Sequence, residues 1–559
     1  MRNAWRSHAR GRRRAPGDAV TAARETSEPD LASQPDEPAS APSPSASSWS
    51  RIQWSGIPAL LRHHWLITAL MVIGLALRVL SKVAYQPALI YVDTLKYLYG
   101  VYPGSDPAGY QAVLNFLTPF RGLAGVAAVQ SLLGLGMAAL LYAVLLRRGV
   151  VRWLAALAAA PVLLDAYQLQ MEQMIMPDVW FEAMIVAGLA LLLWRPAASA
   201  PFAAWAGLIF GTSATLKTLG EVLILPAVVY LLAAGGAWRR TVAVTAAFAG
   251  AFALPIFIYC SIQAFSTGHF RLAVGQSDSG RLTAQADCAT LKLPADVRPL
   301  CPTPGEQANG PDWLVHSAKS PLHAAPIPFG ANRNQLIRTL DSAIEHQQPT
   351  RVAVGIARDA VRLFALTRTG SPSITPISRW QFQTSYPTYP NWTKLGRGNV
   401  IIVGLQRRTF GMFFYHPLKP SYGGPARVNR PVASFLRAYQ LRGGYAPGPL
   451  LALCALLGLA GSVLALARRA RGTRSRQLAL ACLLMTATAL TVLVAPDVLE
   501  FSWRYQLPAL ITLVPAGALG IAALVSSWRT RKSSGDERVI EASDVAWVPG
   551  PTSGQPEPS

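Results

Sequence analysis

Residues 65–97 read WLITALMVIGLALRVLSKVAYQPALIYVDTLKY. Residues 65–84 are nearly all apolar, and a helix of about 20 such residues crosses the hydrocarbon core of a bilayer. Two cations interrupt the run late: Arg78, about 20 Å along a helix that rises 1.5 Å per residue, and Lys82, one turn further. Asp93 follows in the next loop. The stretch therefore predicts a membrane-spanning helix whose far end is charged.

The composition of the whole chain agrees with a membrane protein. The 559 residues include 51 Lys and Arg against 28 Asp and Glu, which gives a formal net charge of +23. Hydrophobic residues make up 51% and charged residues 14%, whereas soluble globular proteins carry about 25% charged residues. These values exclude an ordinary soluble enzyme and a disordered polycation. They favour an integral membrane protein with basic cytoplasmic loops.

Apolar stretches recur along the chain and predict an all-α polytopic membrane protein with about ten transmembrane helices. Three of the stretches are short, so they could tilt, re-enter or run together. The predicted spans lie near 65–85, 123–146, 152–168, 179–194, 202–217, 221–236, 241–264, 446–467, 477–496 and 506–526.

The short loops on one predicted side are all basic, which orients the chain by the positive-inside rule. We predict a cell-membrane protein with both termini in the cytoplasm. The basic residues on the predicted inner side are Arg147, Arg148, Arg152, Arg195, Arg239, Arg240, Arg468, Arg469, Arg471, Arg474, Arg476, Arg529, Arg531 and Lys532.

Five segments follow from this topology. Residues 1–64 are predicted to be a disordered basic cytoplasmic tail, and 527–559 a disordered cytoplasmic tail. Residues 65–264 and 446–526 form the membrane domain, with an outer loop at 86–122. Residues 265–445 form a small mixed extracytoplasmic insert. The arginines of the first tail lack interleaved aromatics or a folded module, so anionic lipid is the expected partner and nucleic acid is not.

The insert contains one clear helix pattern and two cysteines. Residues 351–368 form a basic amphipathic pattern that fits either the membrane interface or packing against the insert itself. Cys288 and Cys301 lie 13 positions apart, and an extracytoplasmic location permits a disulfide between them. No cysteine or histidine spacing indicates a metal site.

Ionisable and tyrosine side chains collect toward the predicted outer face from five distant places. Cations can hold a phosphate, and a carboxylate can accept a proton from an attacking hydroxyl, so the set suits an enzyme acting on a lipid-linked phosphate. The candidates are Arg78, Lys82, Asp93, Tyr97, Tyr110, Glu172, Asp178, Lys217, Arg504 and Tyr505.

A purely structural role is open for several of these residues. Lys217 and Glu221 have the i, i+4 spacing of an ion pair within one helix, and so do Glu500 and Arg504. Asp178 follows a proline and fits the N-cap of a helix. Arg78 is the hardest to explain structurally, because snorkelling from its depth is awkward.

The order of these residues resembles the GT-C superfamily of polyprenyl-phosphate-sugar-dependent glycosyltransferases, which includes protein O-mannosyltransferases and lipid A aminoarabinose transferases. The resemblance covers roughly 65–265 and 446–526. It rests on an arginine late in the first span (Arg78), a D-x-x-x-Y spacing (Asp93, Tyr97), a Gly-Tyr pair (Gly109, Tyr110), acids in an outer turn (Glu172, Asp178) and an Arg-Tyr-x-x-Pro entry to a late span (Arg504, Tyr505, Pro508).

The resemblance implies a sugar transfer with inversion from a polyprenyl-phosphate donor to a glycan, lipid or protein hydroxyl. It implies Asp93 as the catalytic base, although many relatives have two adjacent acids here and this chain has Thr94. No cofactor is expected, and a divalent metal is left open. The donor phosphate would be bound by Arg78, Lys82, Lys217, Arg504 and Tyr505, and the substrates positioned by Tyr97, Tyr110, Glu172 and Asp178.

Two other classes of function were weighed. A transporter or flippase of a lipid-linked precursor would also place ionisable residues in spans, but such proteins often have internal repeats and midplane sites, which are not evident here. A membrane scaffold would leave Arg78, Lys217 and Arg504 without a role.

Overall fold

The computed structural model describes residues 61–99, 107–273, 279–370, 375–386, 392–395, 399–402, 414–416, 423, 426–467, 473–498 and 501–545. All of them belong to one compact unit, Pro58–Ser559. The predicted amino-terminal tail lies outside the described residues up to position 60, and so does Glu500.

Helices occupy every predicted span, which confirms the all-α polytopic class. In the first part of the membrane domain they are α1 (Trp65–Ala84), α2 (Val92–Tyr99), α3 (Gly109–Arg147), α4 (Arg152–Leu164), α5 (Ala166–Gln173), α6 (Asp178–Trp194), α7 (Ala200–Leu216), α8 (Ile224–Ala234) and α9 (Trp238–Thr267). The insert and the last part of the chain contain α10 (Ser279–Gln285), α11 (Pro304–Gln307), α12 (Pro311–His316), α13 (Pro321–Ala324), α14 (Arg333–Gln347), α15 (Pro349–Arg362), α16 (Arg430–Leu441), α17 (Gly448–Ala467), α18 (Thr473–Val494) and α19 (Pro508–Val545).

The helix lengths refine the prediction of about ten transmembrane helices, three of them short. Within the described part of the chain, five helices are long and apolar enough to cross a membrane, or six if α4 and α5, bent by 50° at their junction, count as one span. Some of the other apolar helices are shorter than the about 20 residues that a straight crossing needs: α7 has 17 residues and α8 has 11. The chain is nevertheless a multi-pass membrane protein.

Asp165 ends the third predicted span earlier than expected. Its carboxylate caps α5 by accepting hydrogen bonds from the backbone amides of Tyr167, at 2.8 Å, and Gln168, at 3.3 Å. The other carboxylate oxygen accepts from the amide of Ala446, at 2.8 Å. Because an N-cap side chain satisfies amides that start a helix, Asp165 starts a new helix instead of continuing α4.

Small residues let the long helices pack closely. A Cβ on Gly211 of α7 would collide with the backbone carbonyl of Phe252 in α9. A Cβ on Gly520 of α19 would likewise meet the carbonyl of Leu457 in α17. Interfaces with this close backbone approach are typical of membrane helix bundles, in which packing replaces the hydrophobic driving force.

The arginines of the predicted inner loops bind helix ends. Arg148 donates from Nε to the carbonyl of Leu193 and from Nη2 to that of Arg195, both at 2.8 Å. Arg147 lies over the ring of Trp194, 4.4 Å from its centroid. Cations at the carboxyl end of a helix bind its last carbonyls and interact favourably with the negative end of its dipole. These two arginines therefore stabilise the carboxyl end of α6.

The insert has a small core of its own and a short sheet. Antiparallel strands β2 (Trp392–Leu395), β3 (Asn399–Ile402) and β4 (Phe414–His416) pair in that order, with Ile401 opposite both Thr393 and Tyr415. A disulfide joins Cys288 and Cys301 beside the apolar core of α10–α14. A second pair, β1 (Tyr85–Gln86) with β5 (Arg427–Val428), ties the insert to the end of α1.

Two predicted segments differ from the structure. The amphipathic helix ends at Arg362 instead of residue 368, and its buried Asp359 pairs with Arg281 of α10. This helix is thus packed against the insert, the second of the two alternatives. Helix α19 continues to Val545, so residues 527–545 are helical where disorder was predicted. Glu, Arg and Ala are good helix formers and recur in this stretch, and they outweigh its low hydrophobicity.

Candidate active site

Five of the predicted site residues form one group, called here the charged cluster: Asp93, Asp178, Lys217, Arg504 and Tyr505. Asp93 lies in the first turn of α2, and Arg504 lies in a 3₁₀ helix, Trp503–Gln506, just before α19. Nη1 of Arg504 is 3.6 Å from Oδ2 of Asp93. The side chain of Arg504 is 15% exposed and that of Asp93 is 27% exposed, so a ligand can reach this ion pair.

Tyr505 lies between the two cations of the cluster. Its hydroxyl accepts a hydrogen bond from Nη2 of Arg504 at 3.2 Å. Its ring centroid is 5.1 Å from the guanidinium of Arg504 and 5.3 Å from the ammonium of Lys217. Both cations are attracted to the negative face of the ring, which holds two like charges close together.

Lys217 pairs across the bundle and not along its own helix. Its Nζ lies 2.8 Å from Oδ1 of Asp178, in the first turn of α6. Lys217 follows α7 with extended backbone, φ −149° and ψ 123°, and Glu221 lies in the 3₁₀ helix Thr218–Leu223. The proposed Lys217–Glu221 pair is therefore replaced by Lys217–Asp178. Asp178 is also not an N-cap, because Pro177 occupies that position.

Tyr97 and Tyr110 pack against each other, and Tyr110 lies near Asp178 of the cluster. Their rings meet edge to face with centroids 5.2 Å apart, and both side chains are buried. The hydroxyl of Tyr110 donates to Oε1 of Gln130 at 2.9 Å, and it interacts electrostatically with Asp178. Gly109, before it, approaches α7 so closely that a Cβ would collide with the Thr215 carbonyl. The Gly-Tyr pair thus fixes α3 against the end of α7.

Arg78 and Glu172 form a separate ion pair inside the bundle, called here the buried pair. Nη2 of Arg78 lies 2.6 Å from Oε1 of Glu172, with side chains 2% and 1% exposed. The guanidinium also donates to the carbonyls of Gly74, Val162 and Leu163 at 3.0–3.1 Å. The structure therefore does not bring Arg78 into the charged cluster. Half-buried Lys82 interacts with Glu172 and belongs with this pair.

Sequence reasoning missed Glu182, a buried acid that interacts with Glu172 of the buried pair. Glu182 of α6 is buried, and its Oε2 accepts a hydrogen bond from Nε2 of Gln168 at 2.8 Å. The signal was present, since an acid inside an otherwise apolar span is unusual.

The insert also reaches the charged cluster through residues 375–386, called here the strap. Nη1 of Arg379 donates to the hydroxyl of Tyr91 at 3.2 Å. The ring of Trp380 lies 5.0 Å from the ring of Tyr91 and 5.3 Å from the guanidinium of Arg504. Burial, and then the negative charge of Asp93, raises the pKa of Tyr91, so its hydroxyl stays protonated. No periodic pattern in the sequence indicated this contact.

The cluster combines the groups that suit a reaction in which a phosphate is the leaving group. Two cations lie within 5.3 Å of the Tyr505 ring centroid, and a partly exposed carboxylate is 3.6 Å from one of them. The Arg504–Asp93 distance is longer than a hydrogen bond, so an incoming anion can compete for the guanidinium. Within the described ranges, no group of three or more His, Cys, Asp or Glu residues could hold a metal ion. The absence of a cofactor stays a prediction.

The solved structures similar to this chain include two membrane enzymes. No protein-family model and no curated protein matches the sequence. The S. cerevisiae protein O-mannosyltransferase Pmt1–Pmt2 complex bound to the sugar donor is 17% identical over 40% of this chain and 36% of that chain, with a TM-score of 0.30. ArnT from Cupriavidus metallidurans in the apo state is 14% identical over 83% of this chain and 78% of that chain, also with a TM-score of 0.30.

The match spans only about a third of the length of the yeast chain. At these identities and TM-scores the likeness carries no argument about activity or substrate, so the case for function rests on the residues.

Proposed function

We propose that this protein is a membrane glycosyltransferase that moves a sugar from a polyprenyl-phosphate donor to an acceptor hydroxyl, with Asp93 as the general base. The observation that carries the proposal is the ion pair of Asp93 with Arg504, at 3.6 Å, next to Tyr505 and Lys217. A base and two cations at one partly exposed place suit deprotonation of an alcohol and departure of a phosphate.

The reaction is a single displacement with inversion. Donor phosphate draws the guanidinium of Arg504 away from Asp93, which leaves the carboxylate free to accept a proton. The acceptor hydroxyl gives its proton to Asp93, and its oxygen bonds to the anomeric carbon. The bond from that carbon to the phosphate oxygen breaks, and polyprenyl phosphate leaves with the electron pair. The phosphate needs no proton to leave, unlike the alcohol in a glycosidase.

Lys217 and Arg504 neutralise the charge that develops on the departing phosphate. Removing one such donor from an enzyme typically costs about 10²–10³ in rate. Tyr505 holds the two cations together, and Asp178 orients Lys217 through their 2.8 Å contact. Lys82 and Arg78 are left out of the donor site, because both belong with Glu172 inside the bundle.

The site faces the extracytoplasmic side of the cell membrane in this proposal, and both termini are cytoplasmic. The support is that the basic loops lie at the ends of helices away from the insert, as the positive-inside rule requires. The acceptor is a glycan, lipid or protein hydroxyl on the same side, and the bilayer supplies the donor.

A panel of labelled donors tests the proposal. Membranes containing the wild-type protein are incubated with radiolabelled polyprenyl-phosphate hexoses and pentoses, next to Asp93→Asn/Arg504→Gln at matched expression. Asp296→Asn, in the insert, is the control for an acid-to-amide change. We expect label transfer in the wild type and control, and none in the double variant. No transfer from any donor, together with movement of the lipid across the bilayer, would contradict the proposal and indicate a transporter.

A further inference from the structure

The strap is held firmly between the membrane domain and the rest of the insert. The hydroxyl of Tyr386 donates to the carbonyl of Ala88 at 2.9 Å, and the hydroxyl of Tyr85 donates to the carbonyl of Gln383 at 2.7 Å. Phe382 stacks on Tyr85 with ring centroids 5.7 Å apart and planes 11° from parallel. The strap is therefore fixed to the loop that leads to Asp93.

Helix α16 fixes the strap from its other side. Gln440 donates from Nε2 to the carbonyl of Trp380 at 3.0 Å and accepts from the amide of Phe382 at 2.7 Å. Arg437 donates from Nη1 to the carbonyl of Phe382 at 2.7 Å. A backbone held at both of these residues gives the Trp380 ring a defined position.

Trp380 contacts the charged cluster at Arg504. Trp380 is 3% exposed, and its ring centroid lies 5.0 Å from the Tyr91 ring and 5.3 Å from the Arg504 guanidinium. Nε of Arg504 is buried with no hydrogen-bond partner within the described residues, and the guanidinium contacts Asp93, Tyr505 and the Trp380 ring. Of these, Asp93 must release the guanidinium during the proposed reaction.

We propose that Trp380 is a positioning residue: its ring face holds the Arg504 guanidinium where the donor phosphate departs, so the insert supplies one wall of the active site. This inference rests on the proposed function. An indole face attracts a guanidinium strongly and does not compete with phosphate for its N–H donors. The cation stays in place when Asp93 turns to the acceptor. Nothing in this role touches the reacting atoms.

Sugar-transfer kinetics of purified full-length protein in nanodiscs test the inference. We expect Trp380→Ala to lower kcat by about tenfold, the scale of a desolvated cation–π contact, and Trp380→Phe to keep most of the activity because it keeps a ring. Trp313→Ala, which loses a tryptophan that packs on the insert core, is the matched control and should stay near the wild-type kcat.

A double-variant cycle shows whether Trp380 acts through Arg504. Combined with Arg504→Lys, the alanine substitution should add less than about a twofold loss, whereas combined with Lys217→Gln it should cost its full factor. Equal losses in both backgrounds would overturn the inference, and so would a phenylalanine variant as poor as the alanine one. Wild-type transfer together with an unaffected Trp380→Ala would overturn the inference alone. Absence of transfer in the wild type would overturn both proposals.

Discussion

The buried pair and the charged cluster contain the same two groups, an arginine and a carboxylate, in opposite settings. Arg78 and Glu172 lie 2.6 Å apart and are almost fully buried, and the guanidinium also donates to three backbone carbonyls. Arg504 and Asp93 lie 3.6 Å apart and are partly exposed. Burial closes the first pair to a ligand, whereas the side chains of the second pair are partly accessible. Depth in the membrane therefore does not by itself identify the chemical site.

Removing one member of the buried pair should have the largest effect on stability. Arg78→Met leaves Glu172 buried with Lys82 as its remaining cation, and breaking a buried pair in this way costs about 3–5 kcal/mol. We expect little folded protein in detergent, and recovery in Arg78→Met/Glu172→Leu because the second change removes the fully buried carboxylate that the first leaves without Arg78. Thermal unfolding followed by size-exclusion chromatography measures both. Exposed Arg240→Met is the control, and equal stability of Arg78→Met and this control would refute the distinction.

In the charged cluster the corresponding change should affect activity instead. Arg504→Gln should lower sugar transfer by about 10²–10³, the usual cost of losing one donor to a developing negative charge. Its unfolding free energy should fall less than that of Arg78→Met, because the Asp93 carboxylate that loses its partner is 27% exposed and can be solvated. Transfer rate and melting temperature are measured on one preparation. A stability loss as large as that of Arg78→Met would remove the contrast between the two regions.

The disulfide should stabilise the insert without affecting the bundle. Closing a loop of about 15 residues contributes about 3 kcal/mol in the chain-entropy account, and Cys288 and Cys301 are separated by 13. We expect faster proteolysis of the insert in Cys288→Ser/Cys301→Ser, with the membrane helices still protected. A reductant should reproduce this in the wild type and change nothing further in the variant. Unchanged proteolysis in the variant and in the reduced wild type would show that the disulfide does not stabilise the insert.

Two neighbouring glycines of α3 allow a finer test of the buried pair. A Cβ on Gly134 would collide with the Glu172 carboxylate and lie 2.7 Å from Nη2 of Arg78, whereas one on Gly136 meets nothing within 4 Å. Gly134→Ala should therefore cost about 1–3 kcal/mol by overpacking. Gly136→Ala should be neutral or slightly stabilising, because alanine favours a helix. Equal melting temperatures for the two variants would mean that the pair can move aside.

The positions of the helices could be predicted from the sequence. A long apolar run in a bilayer forms an α-helix because it must satisfy its backbone hydrogen bonds within itself. The lengths of the helices could not be predicted, since Asp165 stops α4 by capping α5 with its own side chain and by binding the distant Ala446. A contact between residues 281 positions apart leaves no periodic signal.

The members of the charged cluster were predicted individually, and their partners were not. The i, i+4 spacing left a Lys217–Glu221 pair open as an alternative, whereas in the structure Lys217 binds Asp178, 39 positions away. Arg78 was assigned to phosphate because its depth was unexplained, and Glu172 supplies the explanation. Trp380 lies in a segment without hydrophobic periodicity, so only the folded insert reveals its position over Arg504.

The central claim is that Asp93 is the base of a sugar transfer, and it is tested most directly by measuring donor binding and single-turnover transfer on the same purified protein. The account predicts that Asp93→Asn binds the polyprenyl-phosphate sugar within about threefold of the wild type, while transfer falls by about 10²–10⁴, the contribution of a general base. Transfer by Asp93→Asn at the wild-type rate would contradict it.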